Sequence, residues 1–418
     1  MNTTANRSPS LLRLQTRRKR WLQVHLYLGL FAGAILAVVG FTGSILVFFE
    51  ELQEILNAEQ IVISAPAESQ RNILPLDDII AAAETAKPKG SKFYSIYYPR
   101  KPEFAYKVQY RVRAPEQDNN GSGYYIFVNP YTAKVTGVQF WYFADGKRYW
   151  GIPFVSFIMQ LHYCLLLGDT GETAVGILAA LSLISVLSGL ILWWPLTGKL
   201  KQALVFKKKA GSVRFNFDLH KTVGFYTTLV LLPVLFSGVY FNLPDRVNVV
   251  FNQLSPITRD NPWSGLGTAN FTATRHTGQK PVPYAALEAA VQNRYPSGRL
   301  WHLYAPKDDK GIYIIQKRDA DELSSFIGYR DFVVDQYSGA ILATYQYGTG
   351  NNGDVFLDWQ WPLHSGQAFG WTGRILVFLG GLACPVLFVT GVIRWLQKRK
   401  AKCLHKFQQT KNRNLQRP

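Results

Sequence analysis

The chain has 418 residues, a net charge of +19, three cysteines and a mean hydropathy near zero. The charge is segregated: residues 1–24, 195–221 and 394–418 carry six, seven and nine Lys/Arg against one acid, Asp218. The remainder is close to neutral, which argues against a nucleic-acid partner. Cys164, Cys384 and Cys403, odd in number and scattered, imply neither a disulfide framework nor a thiolate metal site.

The apolar residues gather into four runs, roughly Leu22–Phe49, Thr173–Trp194, Val223–Phe241 and Ile375–Trp395. Each is about long enough to cross a ~30 Å hydrocarbon layer at 1.5 Å per residue, and backbone in lipid must satisfy its own polar groups. Four transmembrane helices are therefore expected. The chain then divides into a basic N-terminus (1–20), a first span (21–50), a loop module (51–153), and an interfacial segment with the second span (154–194). A basic loop (195–217), a third span (218–243), a second module (244–358), an interfacial segment with the fourth span (359–396) and a basic tail (397–418) follow. The first run is too long for a removed signal peptide and lacks a small-residue cleavage site, so it reads as an anchor. Arg17-Arg-Lys-Arg20 would lie near anionic lipid headgroups. With four spans the three basic segments share one face, which places both termini in the cytoplasm and the two long loops outside.

Both long loops follow one order. A helical stretch, Leu76–Glu84, precedes strand-like runs Phe93–Tyr98, Ala105–Val112, Tyr124–Val128 and Lys134–Val138. In the second loop Tyr284–Val291 precedes Leu300–Tyr304, Ile312–Gln316, Phe332–Val334 and Ala340–Tyr345. Each reads as a small α+β module, so the fold class is an α+β membrane protein in two duplicated halves. Neither module holds a Gly-rich phosphate loop, a nucleophile–base pair or a metal-ligand cluster, so no catalytic residue is assigned.

Four histidines carry the repeat. His25-Leu-Tyr-Leu-Gly29 matches His220-Lys-Thr-Val-Gly224 at an offset of 195, and Phe41-Thr-Gly43 falls on Phe236-Ser-Gly238. At an offset of 202, Leu161-His162 falls on Leu363-His364, Gly168 and Gly171 on Gly370 and Gly373, and Ser188-Gly189 on Thr390-Gly391. Duplication sets equivalent histidines at equal depth: His25 with His220 near the cytoplasmic face, His162 with His364 near the outer face. Ionisable groups at membrane depth are functional candidates. Satisfied structural histidines and a proton or metal-ion pathway are two readings, although the spans hold almost no carboxylate. Paired imidazoles on facing helices, with Gly29 and Gly224 leaving flat slots beside them, suit two bis-histidine haems b. Two axial imidazoles saturate the iron and favour electron transfer. The vertical gap between pairs is expected to be on the order of 20–30 Å, bridged by the haems and intervening aromatics. His276 and His302 read as surface residues, and His405 as part of the tail.

The stretch from Arg18-Lys-Arg-Trp through His25 and Gly29 to Phe41-Thr-Gly43-Ser resembles the PepSY-associated transmembrane helix family of bacterial inner-membrane proteins. Leu161-His162 and Ser188-Gly189-Leu-Ile-Leu-Trp193-Trp-Pro195 resemble its second helix, and the loop modules resemble PepSY domains. The resemblance implies a bacterial inner-membrane location with both modules periplasmic, and a link to iron uptake. FoxB-type members are di-haem reductases that release iron from ferrisiderophores, which implies His25, His162, His220 and His364 as axial ligands. The expected protein is thus an oxidoreductase passing electrons from a cytoplasmic or quinol donor to a ferric siderophore or other ferric chelate. Walls for that acceptor are sought among Trp141, Tyr142, Trp150, Trp263, Trp359 and Trp361, for their aromatic density near the outer interface. PepSY modules have also been associated with protease inhibition. A haem-free PepSY binding or regulatory protein, and a siderophore or metal permease, are the alternatives.

Overall fold

A computed structural model describes residues 9–112, 123–141, 154–195, 204–205, 211–258, 271–274, 278–319 and 330–415. Four of its helices are long and apolar enough to cross a membrane: α1 (Pro9–Leu46), α6 (Gly168–Trp193), α7 (Ser212–Asn242) and α11 (Gly370–Leu415). α11 continues helically into the basic tail as far as Leu415, with His405 exposed along it.

The helices form a ring. α1 packs on α6 and α11, and α7 packs on the same two, so α1 and α7 stand across its diagonal. Small residues draw α1 and α11 together. A Cβ on Gly40 would lie 2.6 Å from Cys384 Cβ, and Ser44 Oγ donates to the Phe378 carbonyl at 2.8 Å. Close approach through small residues is the usual way helices associate in lipid. Near the end of α1, buried Arg374 of α11 donates to the Val47 carbonyl and pairs with Glu51 at 2.7 Å. Glu51 stands in the first turn of α2 (Phe49–Leu56), which a helical turn, α3 (Ala58–Ile61), follows.

Two short helices, α5 (Phe154–Cys164) and α10 (Asn352–Ser365), precede α6 and α11 and turn sharply into them. Both corners require glycine by close approach: a Cβ on Gly171 would meet the Cys164 carbonyl oxygen at 1.8 Å, and one on Gly373 the Gly366 oxygen at 2.1 Å. These are two of the glycines matched by the repeat. α8 (Pro244–Leu254) leads from α7 towards the second module.

The modules hold α4 (Leu76–Ala86) with β1 (Ser91–Tyr97), β2 (Tyr106–Val112), β3 (Gly123–Val128) and β4 (Val135–Trp141), then α9 (Tyr284–Arg294) with β5 (Arg299–Tyr304), β6 (Ile312–Arg318), β7 (Arg330–Asp335) and β8 (Ile341–Gln346). They are not two separate sheets. β1 pairs antiparallel with β5 (Ser95↔Tyr304, Ile96↔Leu303, Tyr97↔His302), giving one eight-stranded sheet in the order β4-β3-β2-β1-β5-β6-β7-β8. Both helices lie on one face over a shared core that includes Ile79, Ile96, Val108, Ile126, Leu287, Leu303, Ile315 and Phe332. Asp77 of α4 accepts from the Tyr284 and Ala285 amides at 3.0 and 2.9 Å, so the first half caps the second half's helix. This junction corrects the reading of His302. It is 2 % exposed and stacks on Tyr97 with ring centres 3.7 Å apart, because strand pairing between the modules buries what a lone module would expose. His276 lies outside the described residues.

Candidate functional site

The four repeat histidines meet in two pairs. His25 of α1 faces His220 of α7 at the basic end of the bundle, with ring centres 6.1 Å apart and ring planes crossed at 75°. His162 of α5 faces His364 of α10 at the sheet end, again at 6.1 Å, with planes crossed at 66°. Each pair takes one histidine from each half of the chain.

Each imidazole is held by a spanning helix of its own half, in a cradle used four times. His25 Nδ1 contacts the Ser185 carbonyl (2.9 Å) and Ser188 Oγ (3.1 Å) on α6. His162 Nδ1 contacts the Val39 carbonyl (2.9 Å) and Thr42 Oγ1 (3.2 Å) on α1. His364 Nδ1 contacts the Val234 carbonyl (3.1 Å) and Ser237 Oγ (2.9 Å) on α7. His220 Nδ1 contacts Thr390 Oγ1 (2.9 Å) on α11, with the Leu387 backbone as its second partner. The partners are always a backbone group and a Ser or Thr three residues later. Each hydroxyl donates to its own helix: Ser188 to Ser185, Thr42 to Val38, Ser237 to Pro233 and Thr390 to Val386. Carbonyls accept only, and hydroxyls that already donate must accept from the ring. The proton of the neutral imidazole is thereby fixed on Nδ1, and Nε2 carries the lone pair. Among the described residues no hydrogen bond reaches Nε2 of any of the four.

The residue after each hydroxyl is glycine, and the imidazole edge rests on it. A Cβ would lie 3.0 Å from His25 Cε1 at Gly189, 2.8 Å from His162 Cε1 at Gly43, 3.4 Å from His220 Cε1 at Gly391 and 3.6 Å from His364 Cε1 at Gly238. Glycine and hydroxyl together let the ring lie against the backbone and hydrogen-bond to it. Sequence reasoning assigned these eight residues no role in holding the histidines, although Thr42-Gly43, Ser188-Gly189, Ser237-Gly238 and Thr390-Gly391 were among the strongest repeat matches. Gly29 and Gly224 play a different part. A Cβ on Gly29 would meet nothing within 4 Å, and one on Gly224 only Leu387 Cδ2 at 3.5 Å, which leaves uncovered backbone one turn from His25 and His220.

The pairs are stacked along the bundle. His25 and the Thr42 that holds His162 are 17 residues apart on α1, and His220 and Ser237 are 17 apart on α7. At 1.5 Å per residue the two levels are about 26 Å apart. Between them lies a layer of Leu36, Ala179, Leu183, Val186, Leu231, Leu235, Leu387 and Cys384. This layer is aliphatic, so the expected intervening aromatics are not part of it.

Of the proposed acceptor walls, Trp359 is 36 % exposed and lines a cavity of about 680 Å³ with Leu232, Phe236, Phe356 and Leu363. Trp361 packs on Phe241 at 6.2 Å, and Phe241 meets the His364 ring edge-on at 5.3 Å. Trp141 closes strand β4 opposite Gly123. Tyr142, Trp150 and Trp263 lie outside the described residues.

Fold and site together define a four-span α+β membrane protein whose duplicated halves oppose histidines at two levels. Residues 22–398 match the family described as the PepSY-associated TM region, and the chain belongs to that family. No curated protein matches it.

Proposed function

We propose that the protein is a di-haem b electron-transfer protein of the bacterial inner membrane, acting as a reductase of a ferric siderophore or other ferric chelate. The observation that carries this reading is the pair of equal 6.1 Å imidazole gaps, each between two rings whose Nδ1 is already committed. Two metal–nitrogen bonds of about 2.0–2.1 Å, with each ring centre roughly 1.1 Å behind its nitrogen, span about 6.3 Å. Among the described residues no three of His, Cys, Asp or Glu gather as a metal-ion site. A bare ion would lack ligands, whereas a haem supplies four of its own and asks the protein for two. His25 with His220, and His162 with His364, would hold the two groups.

Haem so ligated supplies reversible one-electron chemistry without an open coordination position. The chain's contribution is orientation. The carbonyl–hydroxyl cradles fix the tautomer and aim of each ring, and the hydrogen bond at Nδ1 raises the basicity of Nε2. The aliphatic layer keeps water from the space between the levels. Under the positive-inside rule the basic end would face the cytoplasm and the sheet the periplasm, and electrons would pass from His25/His220 towards His162/His364. The acceptor would dock at the sheet end, a reading supported by the aromatic surface that Trp359 and Trp361 bring near His364. One-electron reduction of a hard-oxygen ferric chelate yields the softer, less charged ferrous ion, which the chelate holds more weakly.

An absorption spectrum tests the reading. Purified protein is expected to show a Soret band that sharpens and shifts on dithionite reduction, with about two haems per chain. His25→Ala and His364→Ala are each expected to remove about one. A colourless, folded preparation would sink the proposal and favour a haem-free binding or transport role. Reduction of a ferric hydroxamate by pre-reduced protein tests the activity separately.

A further inference from the structure

At the basic end of the bundle, beyond His25 and His220, lies a second cavity of about 430 Å³. Gly211, Ser212, Val213, Arg214, Phe217 and Arg394 line it, with no carboxylate among them. The Arg214 and Arg394 guanidiniums lie 5.5 and 5.0 Å from the Phe217 ring centre. Phe217 is 36 % exposed, a large apolar surface to leave open between cations. Arg214 shares Asp218 with Lys221, at 2.9 and 3.3 Å. Arg394 has no carboxylate partner among the described residues, so the cavity retains positive charge. It also adjoins the redox site proposed above: Arg394 is three residues beyond Gly391, against which the His220 ring rests, and Arg214 is six residues before His220 on α7.

We propose that this cavity docks the electron donor, and that the donor is a planar aromatic ring bearing a phosphate monoester, in the class of reduced flavin mononucleotide. The proposal rests on the electron-transfer reading of the histidine pairs. Two guanidinium forks match a phosphate in geometry and charge, and the part-exposed phenyl ring beside them adds apolar surface for a tricyclic ring to pack on. The volume falls in the range of small-ligand sites. The stoichiometry also fits. Oxidation of one dihydroflavin to flavin releases two electrons and two protons. The electrons balance two one-electron acceptors, one at each histidine pair, and the protons remain at the basic end.

The test uses full-length protein in nanodiscs of zwitterionic lipid, titrated with oxidised flavin mononucleotide and with riboflavin. The two ligands differ only in the phosphate, and flavin fluorescence reads their binding. The mononucleotide is expected to bind at least about tenfold more tightly than riboflavin. Arg394→Gln is expected to erase that preference while Arg394→Lys keeps part of it, and Phe217→Leu to weaken both ligands. Equal affinity for the two flavins, or an unchanged preference in Arg394→Gln, would overturn the proposal. Displacement of the mononucleotide by phosphatidylglycerol added to the nanodisc would overturn it too, by assigning the cavity to lipid phosphate. The spectrum of the same sample separates the two ideas. A colourless preparation counts against the histidine reading, and a coloured one indifferent to phosphate counts against this site alone.

Discussion

The two halves of the molecule repeat one cradle but not one clearance. In the first half the rings press on their glycines, with Cβ positions 2.8 Å (Gly43) and 3.0 Å (Gly189) from an imidazole carbon. In the second half the corresponding distances are 3.6 Å (Gly238) and 3.4 Å (Gly391). Because each pair takes one histidine from each half, each pair joins a tightly clamped ring to one with slack. The clamped ring is fixed in position, and the looser one has room to adjust. The heads differ in the same way. Where α4 buries Ile80, the equivalent position of α9 holds Glu288, whose carboxyl burial pushes up to about 7. Asp77 caps α9, and the matching position on α9, Ala285, has no polar group to cap α4 in turn. Duplication supplied the symmetry, and the second copy departs from it where packing allows.

The comparison can be broken most forcefully at Gly43. Gly43→Ala puts a methyl 2.8 Å from His162 Cε1, closer than real Cβ contacts come, and 3.3 Å from Nδ1, so the ring must shift in its cradle. We expect loss of about one haem per chain and a destabilisation of about 1–3 kcal/mol, read by haem assay and thermal melting. Full retention of haem would show that the first half is not clamped. Next in size is Glu288→Gln. The folded-state pKa is raised, so wild-type stability should fall as pH rises from the ordinary carboxylate value towards about 7, and level off above it. The variant should therefore be the more stable protein at pH 8 and lose that advantage by pH 4, as checked by melting curves across that range. Thr42→Val removes the hydroxyl from His162 Nδ1 but leaves the Val39 carbonyl, so haem should stay while the midpoint potential of one centre shifts. A net hydrogen bond of about 1 kcal/mol corresponds to a shift on the order of tens of millivolts; Thr42→Ser should restore the wild-type value. The smallest effect belongs to Gly238→Ala. At 3.6 Å its methyl makes an ordinary contact, and both haems should remain. If it behaves like Gly43→Ala, the contrast between halves fails.

Much of this is legible in the sequence. The spans, the α+β modules and the meeting of His25 with His220 and of His162 with His364 all follow from hydropathy, charge and an exact repeat register. The cradles were visible only as repeated letters. Their role depends on which helix crosses which, since His162 rests on Thr42-Gly43, some 120 residues earlier in the chain. His302 was misread because nothing within one module signals that its edge strand will pair with the other. The aliphatic character of the middle layer was obscured by aromatics elsewhere on the same helices. Trp193 and Phe225, for example, stack on each other at 3.8 Å and are not part of that layer.

The junction between β1 and β5 has a mechanical meaning. Three register pairs are extended by the Tyr98 amide donating to Trp301 and the Ala305 amide to Tyr94, at 3.0 and 2.9 Å. This seam rivets the two halves together above the bundle. A rocking cycle that prised them apart at that end, as transport by alternating exposure demands, would have to unzip backbone pairing and uncover Ile96 and Leu303 each time. A chain stitched in this way is suited to holding its two histidine pairs at a fixed separation.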